Sequence, residues 1–294
     1  MGFNNLIGNE KVKKLLIKII KTNQLNHSYM FIGPSGIGKT LFAKEFAKMI
    51  LCQNQDEKCN NCKSCIELEN NNNPDFILIE PDDGKIKIEQ IRQLQKTILE
   101  KPIISNKKVY VIKDADTMTK EAGNSLLKTL EEPPQYITII LIGTNEGMFL
   151  NTIKSRCTKI LFNKIEDEKL KMFLEKEHNI KNVKESMLKT FDGSIEKALI
   201  INGKIDIYNK IEEVFSNIEN INLIEAMNQL NCIYEEKESI YDILDYINII
   251  LFSISKNNTY YIKYINAVEV AKNAIRNNAN YDMSIDNLLY NICS

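Results

Sequence analysis

The sequence predicts an α/β domain built on a parallel sheet in its first half and an all-α second half. Three observations predict it. Short apolar runs alternate with segments of helical periodicity from residue 28 to about residue 163. A glycine-rich run, Gly33 to Thr40, joins the first of those apolar runs to a helical segment. From about residue 164 to residue 294 the segments are almost all helical in period. Strands alternating with helices imply a parallel sheet covered on both faces.

The elements follow in order. Residues 11–22 place Val12, Leu15, Leu16, Ile19 and Ile20 at helical spacing. Residues 28–32 are a short apolar run ending at Gly33, which suits a buried strand, and residues 39–51 are an amphipathic helix. A cluster of cysteines comes next, then an Asn-rich loop at 70–73 closed by Pro74. Residues 76–80 read as a second strand, 88–100 as a helix and 108–112 as a third strand. Residues 120–131 read as a helix stopped by Pro133 and Pro134, 137–142 as a fourth strand and 158–162 as a fifth. In the helical half Tyr241, Leu244, Ile247 and Leu251 recur at helical spacing, as do Tyr264, Ala267, Ala271 and Ala274. Such stripes are the pattern of a helix-bundle core. The expected domains are 1–163 for the α/β part with a four-cysteine module at 52–65, then helical domains at 164–205 and 206–294.

The bulk properties exclude several classes. A chain of 294 residues is too long for one small core and suits two or three domains. The net charge of −1 gives no overall basic field to draw the chain to nucleic acid. Glu10 and several lysines stand where a signal peptide would be apolar. Leu6 stands where a myristoylation signal has Ser or Thr. The apolar stretch 246–254 is broken by Asn248 and is too short to span a bilayer. The expectation is a cytoplasmic protein.

Gly33, Pro34, Ser35, Gly36, Ile37, Gly38, Lys39 and Thr40 fit the pattern G-x-x-x-x-G-K-[ST] without a gap. Glycines let backbone N–H groups turn inward around phosphates, Lys39 reaches the β- and γ-phosphates, and Thr40 offers its hydroxyl to Mg²⁺. The helix that starts there aims its positive end at the same anion. ATP or ADP is the ligand this loop suits. Hydrolysis needs more: an acidic residue at the end of a neighbouring strand to hold Mg²⁺. The candidate strand, 109–112, is followed by Lys113 at the metal position and by Asp114 where a water-activating Glu is common. A lysine there opposes Mg²⁺ by like-charge repulsion. The expectation is nucleotide binding with weak or absent Mg²⁺ and slow or absent hydrolysis. The alternative is that Asp114 or Asp116 takes the metal after a small register shift.

Four of the seven cysteines, Cys52, Cys59, Cys62 and Cys65, crowd into fourteen residues. In a reducing compartment such a cluster reads as metal ligation, and four thiolates suit a closed, structural Zn²⁺ site. Cys157 stands alone. Cys232 and Cys293 read as buried apolar residues.

Together these elements resemble the bacterial clamp loader of DNA polymerase III, within the AAA+ ATPase family. The segments that carry the resemblance are HSYMFIGPSGIGKT (27–40), the four-cysteine insertion, NSLLKTLEEPP (124–134) and TIKSRC (152–157). It covers about residues 5 to 203. It implies an AAA+ P-loop domain, a helical lid at 164–205 and a helical collar at 206–294 that joins subunits. Two kinds of subunit share these motifs: the gamma/tau motor, which hydrolyses ATP, and delta-prime, which usually does not. The motor pattern has Asp-Glu where this chain has Lys113-Asp114. It has an arginine in its second sensor where GSIEKAL (193–199) has Glu196. The run PDFILIEPDDGKIKIEQIRQL (74–94) is similar to a delta-prime segment.

The resemblance therefore implies a delta-prime-type scaffold subunit of the DNA polymerase III holoenzyme, with no independent catalysis. Its partners would be gamma/tau and delta subunits, and through the assembly the sliding clamp and primed DNA. In Ser155-Arg156-Cys157 the resemblance implies that Arg156 acts in trans, in the adjacent subunit's ATP site. Thr144 falls at the family's first sensor, and His27 matches the family in a structural role. Two alternatives stay open: an active gamma/tau-type ATPase, and an AAA+ factor of DNA repair or recombination.

Overall fold

The computed structural model describes residues 3–54, 59–181, 183–218, 221–256 and 261–293. Residues 55–58 of the expected cysteine module lie outside them. The chain divides into two compact units, Met1–Lys169 and Leu170–Ser294.

The first unit holds five strands: β1 (Ser28–Ile32), β2 (Phe76–Ile79), β3 (Lys108–Ile112), β4 (Ile137–Gly143) and β5 (Thr158–Leu161). All pair in parallel, in the order β2-β3-β4-β1-β5. Parallel neighbours cannot be joined by a tight turn, so each connection is a crossover. The crossovers carry α2 (Lys39–Leu51), α3 (Lys63–Glu69), α4 (Ile88–Ile98), α5 (Lys120–Glu131) and α6 (Asn151–Lys154), and α1 (Glu10–Lys21) precedes β1. The expected strands and helices are present with ends shifted by one or two residues, as fraying ends allow. The short α3 and α6 carry too few residues to show a period and were not expected from the sequence.

The three central strands are buried along their whole length, as covering both faces of a parallel sheet requires. Alternate residues of β1 serve opposite faces. Tyr29 meets Phe46 of α2 edge-on with ring centroids 5.2 Å apart, and Phe31 and Phe42 each lie 5.1 Å from Phe162. Met30 and Ile32 instead join the core formed with Leu94 of α4 and Leu126 of α5. At the β2 edge, the fully buried Asp75 accepts hydrogen bonds of 2.7 Å from the N–H groups of Ile103, Ile104 and Ser105. Those three donors would otherwise be left without partners at a strand entry. Ser105 also bonds Ser64 of α3, which in turn accepts from Asn73. The cysteine-bearing segment is thereby tied to the sheet.

The second unit is helical. After α7 (Asp167–His178), which begins at the boundary, come α8 (Glu185–Phe191), α9 (Ile195–Gly203) and α10 (Ile205–Ser216). They are followed by α11 (Leu223–Gln229), α12 (Ile240–Ser255), α13 (Ile262–Arg276) and α14 (Tyr281–Cys293). α12 is the hub, packed by α8, α10 and α13. Its buried face runs through Ile240, Ile243, Leu244, Ile247 and Leu251. Tyr241, expected in that stripe, is exposed, because three packing neighbours shift the buried arc one residue toward Ile240. Cys232 and Cys293 are half-buried rather than buried. Each stands one position off a buried residue, Ile233 and Ile292 respectively, and so turns partly outward. Among the described residues no helix is long and apolar enough to cross a membrane.

Candidate functional site

Parallel strands end on one edge, and that edge is where loops can converge on a ligand. The loops after β1, β4 and β3 carry Gly33–Thr40, Thr144 and Lys113–Asp114 respectively. The strand bearing Lys113 was expected beside β1. The structure corrects this: β4 lies between them, because the crossover through α5 returns the chain into the gap beside β1. Thr144 therefore stands between the phosphate loop and Lys113.

The glycine loop is shaped by sterics. A Cβ on Gly33 would lie 2.5 Å from the Phe162 carbonyl oxygen, so no side chain fits there. Gly38 has φ of 89°, a left-handed conformation that favours glycine, and directly precedes α2. The first N–H groups of α2 are thereby left to the loop. Lys39 is buried at 7% exposure, and its ammonium donates to the carbonyls of Gly33 at 2.7 Å and Pro34 at 2.5 Å. Ile37 is buried, while Ser35 is exposed and Thr40 half-exposed.

At the end of β3 the Lys113 ammonium pairs with Glu80 Oε1 at 3.0 Å. Both side chains are well solvated, so the pair adds at most about 1 kcal/mol. Asp114 adopts a left-handed φ of 47° at the start of the turn Ala115–Thr117. Two residues on, Asp116 Oδ2 accepts from Thr144 N at 2.8 Å, the Thr144 hydroxyl at 2.8 Å and Asn145 N at 2.9 Å. Burial pushes the Asp116 carboxyl up, but the Asn145 and Thr144 donors outweigh burial and hold it below the usual carboxylate range. Gly143 makes room for this contact: a Cβ there would lie 2.7 Å from the Phe149 ring and 3.2 Å from Asp116 Cγ. The sequence offered a signal for Asp116 in its spacing from Asp114, but not its partner.

Arg156 lies at the opposite edge. It precedes β5, and its carbonyl accepts from the Ser28 hydroxyl at the start of β1 at 2.6 Å. Five residues of β1 separate that level from Gly33, about 16 Å of strand, more than an arginine side chain spans. The guanidinium is held by Glu131 Oε1 at 2.6 Å and by Thr152 O at 2.9 Å. Nothing in the sequence marked Glu131 beyond its place in the NSLLKTLEEPP segment. Glu196 belongs to the second unit, where it is exposed in the first turn of α9, behind the Ser194 cap. His27 is exposed; its carbonyl accepts from Ile139 N at 2.8 Å, and its Nδ1 lies 3.4 Å from the Ile137 carbonyl oxygen.

Cys52 follows α2, Cys62 precedes α3 and Cys65 lies within it. With Cys59 they bring four sulfurs within 4.8 Å of one another. Tetrahedral zinc with its usual bond lengths would set sulfurs about 3.8 Å apart, so a small contraction suffices. Backbone N–H groups of Asn61 and Cys62 lower the Cys59 thiol to about 6, whereas burial raises that of Cys65. The cluster is a closed four-thiol donor set that fits one metal ion. Cys157 is apart from it, with its thiol raised by burial to about 11.

The strand order and the glycine loop between β1 and α2 define a P-loop domain of the AAA+ type. A match to the family described as DNA polymerase III, delta subunit, covers residues 8–166, more than half of the chain. The chain belongs to that family. It is 34% identical over 223 residues to DNA polymerase III subunit gamma/tau of Mycoplasma genitalium, covering 73% of this chain and 37% of that one. It is 40% identical over 153 residues to DNA polymerase III subunit delta' of Bacillus subtilis, covering 52% of this chain and 46% of that one. The chain thus spans less than half the length of these relatives. A DNA polymerase III gamma subunit-related protein of Thermotoga maritima shares the fold, with a TM-score of 0.50 at 17% identity over 94% of this chain and 98% of that one.

The Asp116 anchor has a pH signature. Its folded-state carboxyl is held below the ordinary carboxylate value, so its stabilisation is present above that value and is lost as pH falls through the folded one. The stability gap between the native chain and Asp116→Asn, measured by urea unfolding, is expected to be constant near neutrality and to narrow only below about pH 4. A gap that does not change with pH would contradict the anchor.

Proposed function

We propose that this chain is a delta-prime-type scaffold subunit of a DNA polymerase III clamp loader, which acts in a neighbour's ATP site instead of hydrolysing ATP itself. The observation that carries the reading is the placement of Arg156 at the edge of the sheet opposite its own phosphate loop. An arginine that cannot reach its own loop serves catalysis only by meeting another subunit's nucleotide. A guanidinium there stabilises charge that develops on the γ-phosphate, an effect of about 10³ to 10⁵ in rate in arginine-finger systems.

Three further features support it. Lys113 sets a cation at the metal position, where it pairs with Glu80. Asp114 is one methylene shorter than the Glu that would activate water. Glu196 stands where a second sensor would have an arginine. Gly33 to Thr40 would hold ATP or ADP, with Lys39 leaving the Gly33 and Pro34 carbonyls for phosphate and Thr40 contributing a hydroxyl. Mg²⁺ would be bound weakly or not at all. Residues 164–205 serve as lid and 206–294 as the collar that joins gamma/tau and delta subunits; clamp and primed DNA are met through the assembly. Cys52, Cys59, Cys62 and Cys65 hold a structural Zn²⁺.

A second reading, a gamma/tau-type ATPase, is favoured by the intact loop and by the longer span matched in the gamma/tau relative, 73% of this chain against 52% for the delta' relative. Turnover separates the two. The purified chain with MgATP is expected to release phosphate no faster than its Lys39→Ala variant; clear turnover that disappears in that variant would establish the motor instead. On the same preparation, metal analysis is expected to find one zinc per chain, reduced to a trace by Cys65→Ser. Zinc-free protein from a chelator-free purification would contradict the thiolate site.

A further inference from the structure

Arg156 is not a loose surface side chain. Its NH2 meets Glu131 Oε1 at 2.6 Å, and its NH1 donates to Thr152 O at 2.9 Å and contacts Ser155 Oγ at 3.3 Å. The guanidinium is thereby gripped between the C-terminal end of α5 and α6. The grip on α6 is a helix C-cap interaction, since Thr152 belongs to that helix. The grip on α5 has a separate electrostatic cause. Glu131 is the last residue of α5 and Glu132 directly follows it. Two carboxylates at the negative end of a helix dipole are unfavourably placed, and such an end prefers a cation. Arg156 supplies it.

Stability does not explain the pair. The Glu131 side chain is 49% exposed and that of Arg156 34%, and ion pairs so solvated contribute little. What the pair does instead is limit orientation. A free arginine samples many rotamers, and a planar guanidinium held at both nitrogens is confined to few. Its partly exposed guanidinium is thereby held in few orientations.

We propose that Glu131 is a positioning residue for Arg156: it holds the guanidinium in the attitude in which a neighbouring subunit's bound ATP meets it. This rests on the reading of Arg156 as an arginine that acts in trans. Glu131 itself touches neither nucleotide nor reacting atoms. Its effect falls on the transition state, where small misplacement of a charged group is costly, and not on nucleotide affinity.

The test is steady-state ATP hydrolysis by the reconstituted loader, assembled with this chain as wild type, Glu131→Ala, Glu131→Gln, Arg156→Ala and the Glu131→Ala/Arg156→Ala double variant. Glu131→Ala is expected to lower kcat about tenfold with KM for ATP unchanged. Glu131→Gln, which keeps an acceptor oxygen without the charge, is expected to fall between Ala and wild type. The double variant is expected to be no slower than Arg156→Ala alone, because a residue acting only through Arg156 has nothing left to position. An equal loss from Glu131→Ala in both backgrounds, or a rise in KM with kcat intact, would overturn the proposal. So would wild-type kcat in Glu131→Ala when Arg156→Ala is impaired, and that result would leave the trans role of Arg156 standing. Full activity in Arg156→Ala would overturn the trans reading and this inference with it.

Discussion

Because β1 is hydrogen-bonded to β4 on one side and to β5 on the other, both parallel to it, the chain has two chemically different edges. Everything that follows β1, β3 and β4 gathers at one edge; everything that precedes β5 gathers at the other. The glycine loop, Thr144 and Lys113 fall in the first group and Arg156 in the second. The close approach of Gly33 to the Phe162 carbonyl fixes this arrangement, since it leaves no room for a side chain where β1 turns into the loop. A protein built this way offers an anion cradle on one side and a cation on the other, which is the form a ring or arc of repeated neighbours would use.

At the cradle edge the charged side chains are engaged with neighbouring protein groups. Lys39 donates to its own loop carbonyls, and Lys113 pairs with Glu80. The half-buried Asp116 accepts from Thr144 and Asn145 through Oδ2. That contact ties the end of β4 to the turn after β3. Asp75 does the same work at the other end of β3, where it gathers three N–H groups before the strand begins.

Much of this was legible in the sequence, and for definite reasons. The strands that are buried on both faces are continuous apolar runs, so β1, β3 and β4 announced themselves. The phosphate loop is a local signal with fixed spacing, and so is the cysteine cluster, whose four sulfurs do come together. Strand order was not legible, because it depends on where a crossover returns; hence the misplacement of Lys113 beside β1. The partners of Asp116 and Arg156 were hidden for the same reason: Thr144 is 28 residues from Asp116 in sequence, and the contact exists only after β3 and β4 pair. In the helical unit, spacing gave the existence of α12 but not the arc it buries, since that arc is set by three neighbours at once.

The proposed function rests on an asymmetry, in which this chain would contribute to ATP hydrolysis through Arg156 and not through its own Lys39. The direct measurement compares ATP turnover, in the assembled loader on primed DNA, for two versions of this one subunit, Lys39→Ala and Arg156→Ala. The account predicts near-normal turnover with Lys39→Ala and a loss of about 10-fold or more at the affected site with Arg156→Ala. The reverse pattern, loss with Lys39→Ala and normal turnover with Arg156→Ala, would contradict it.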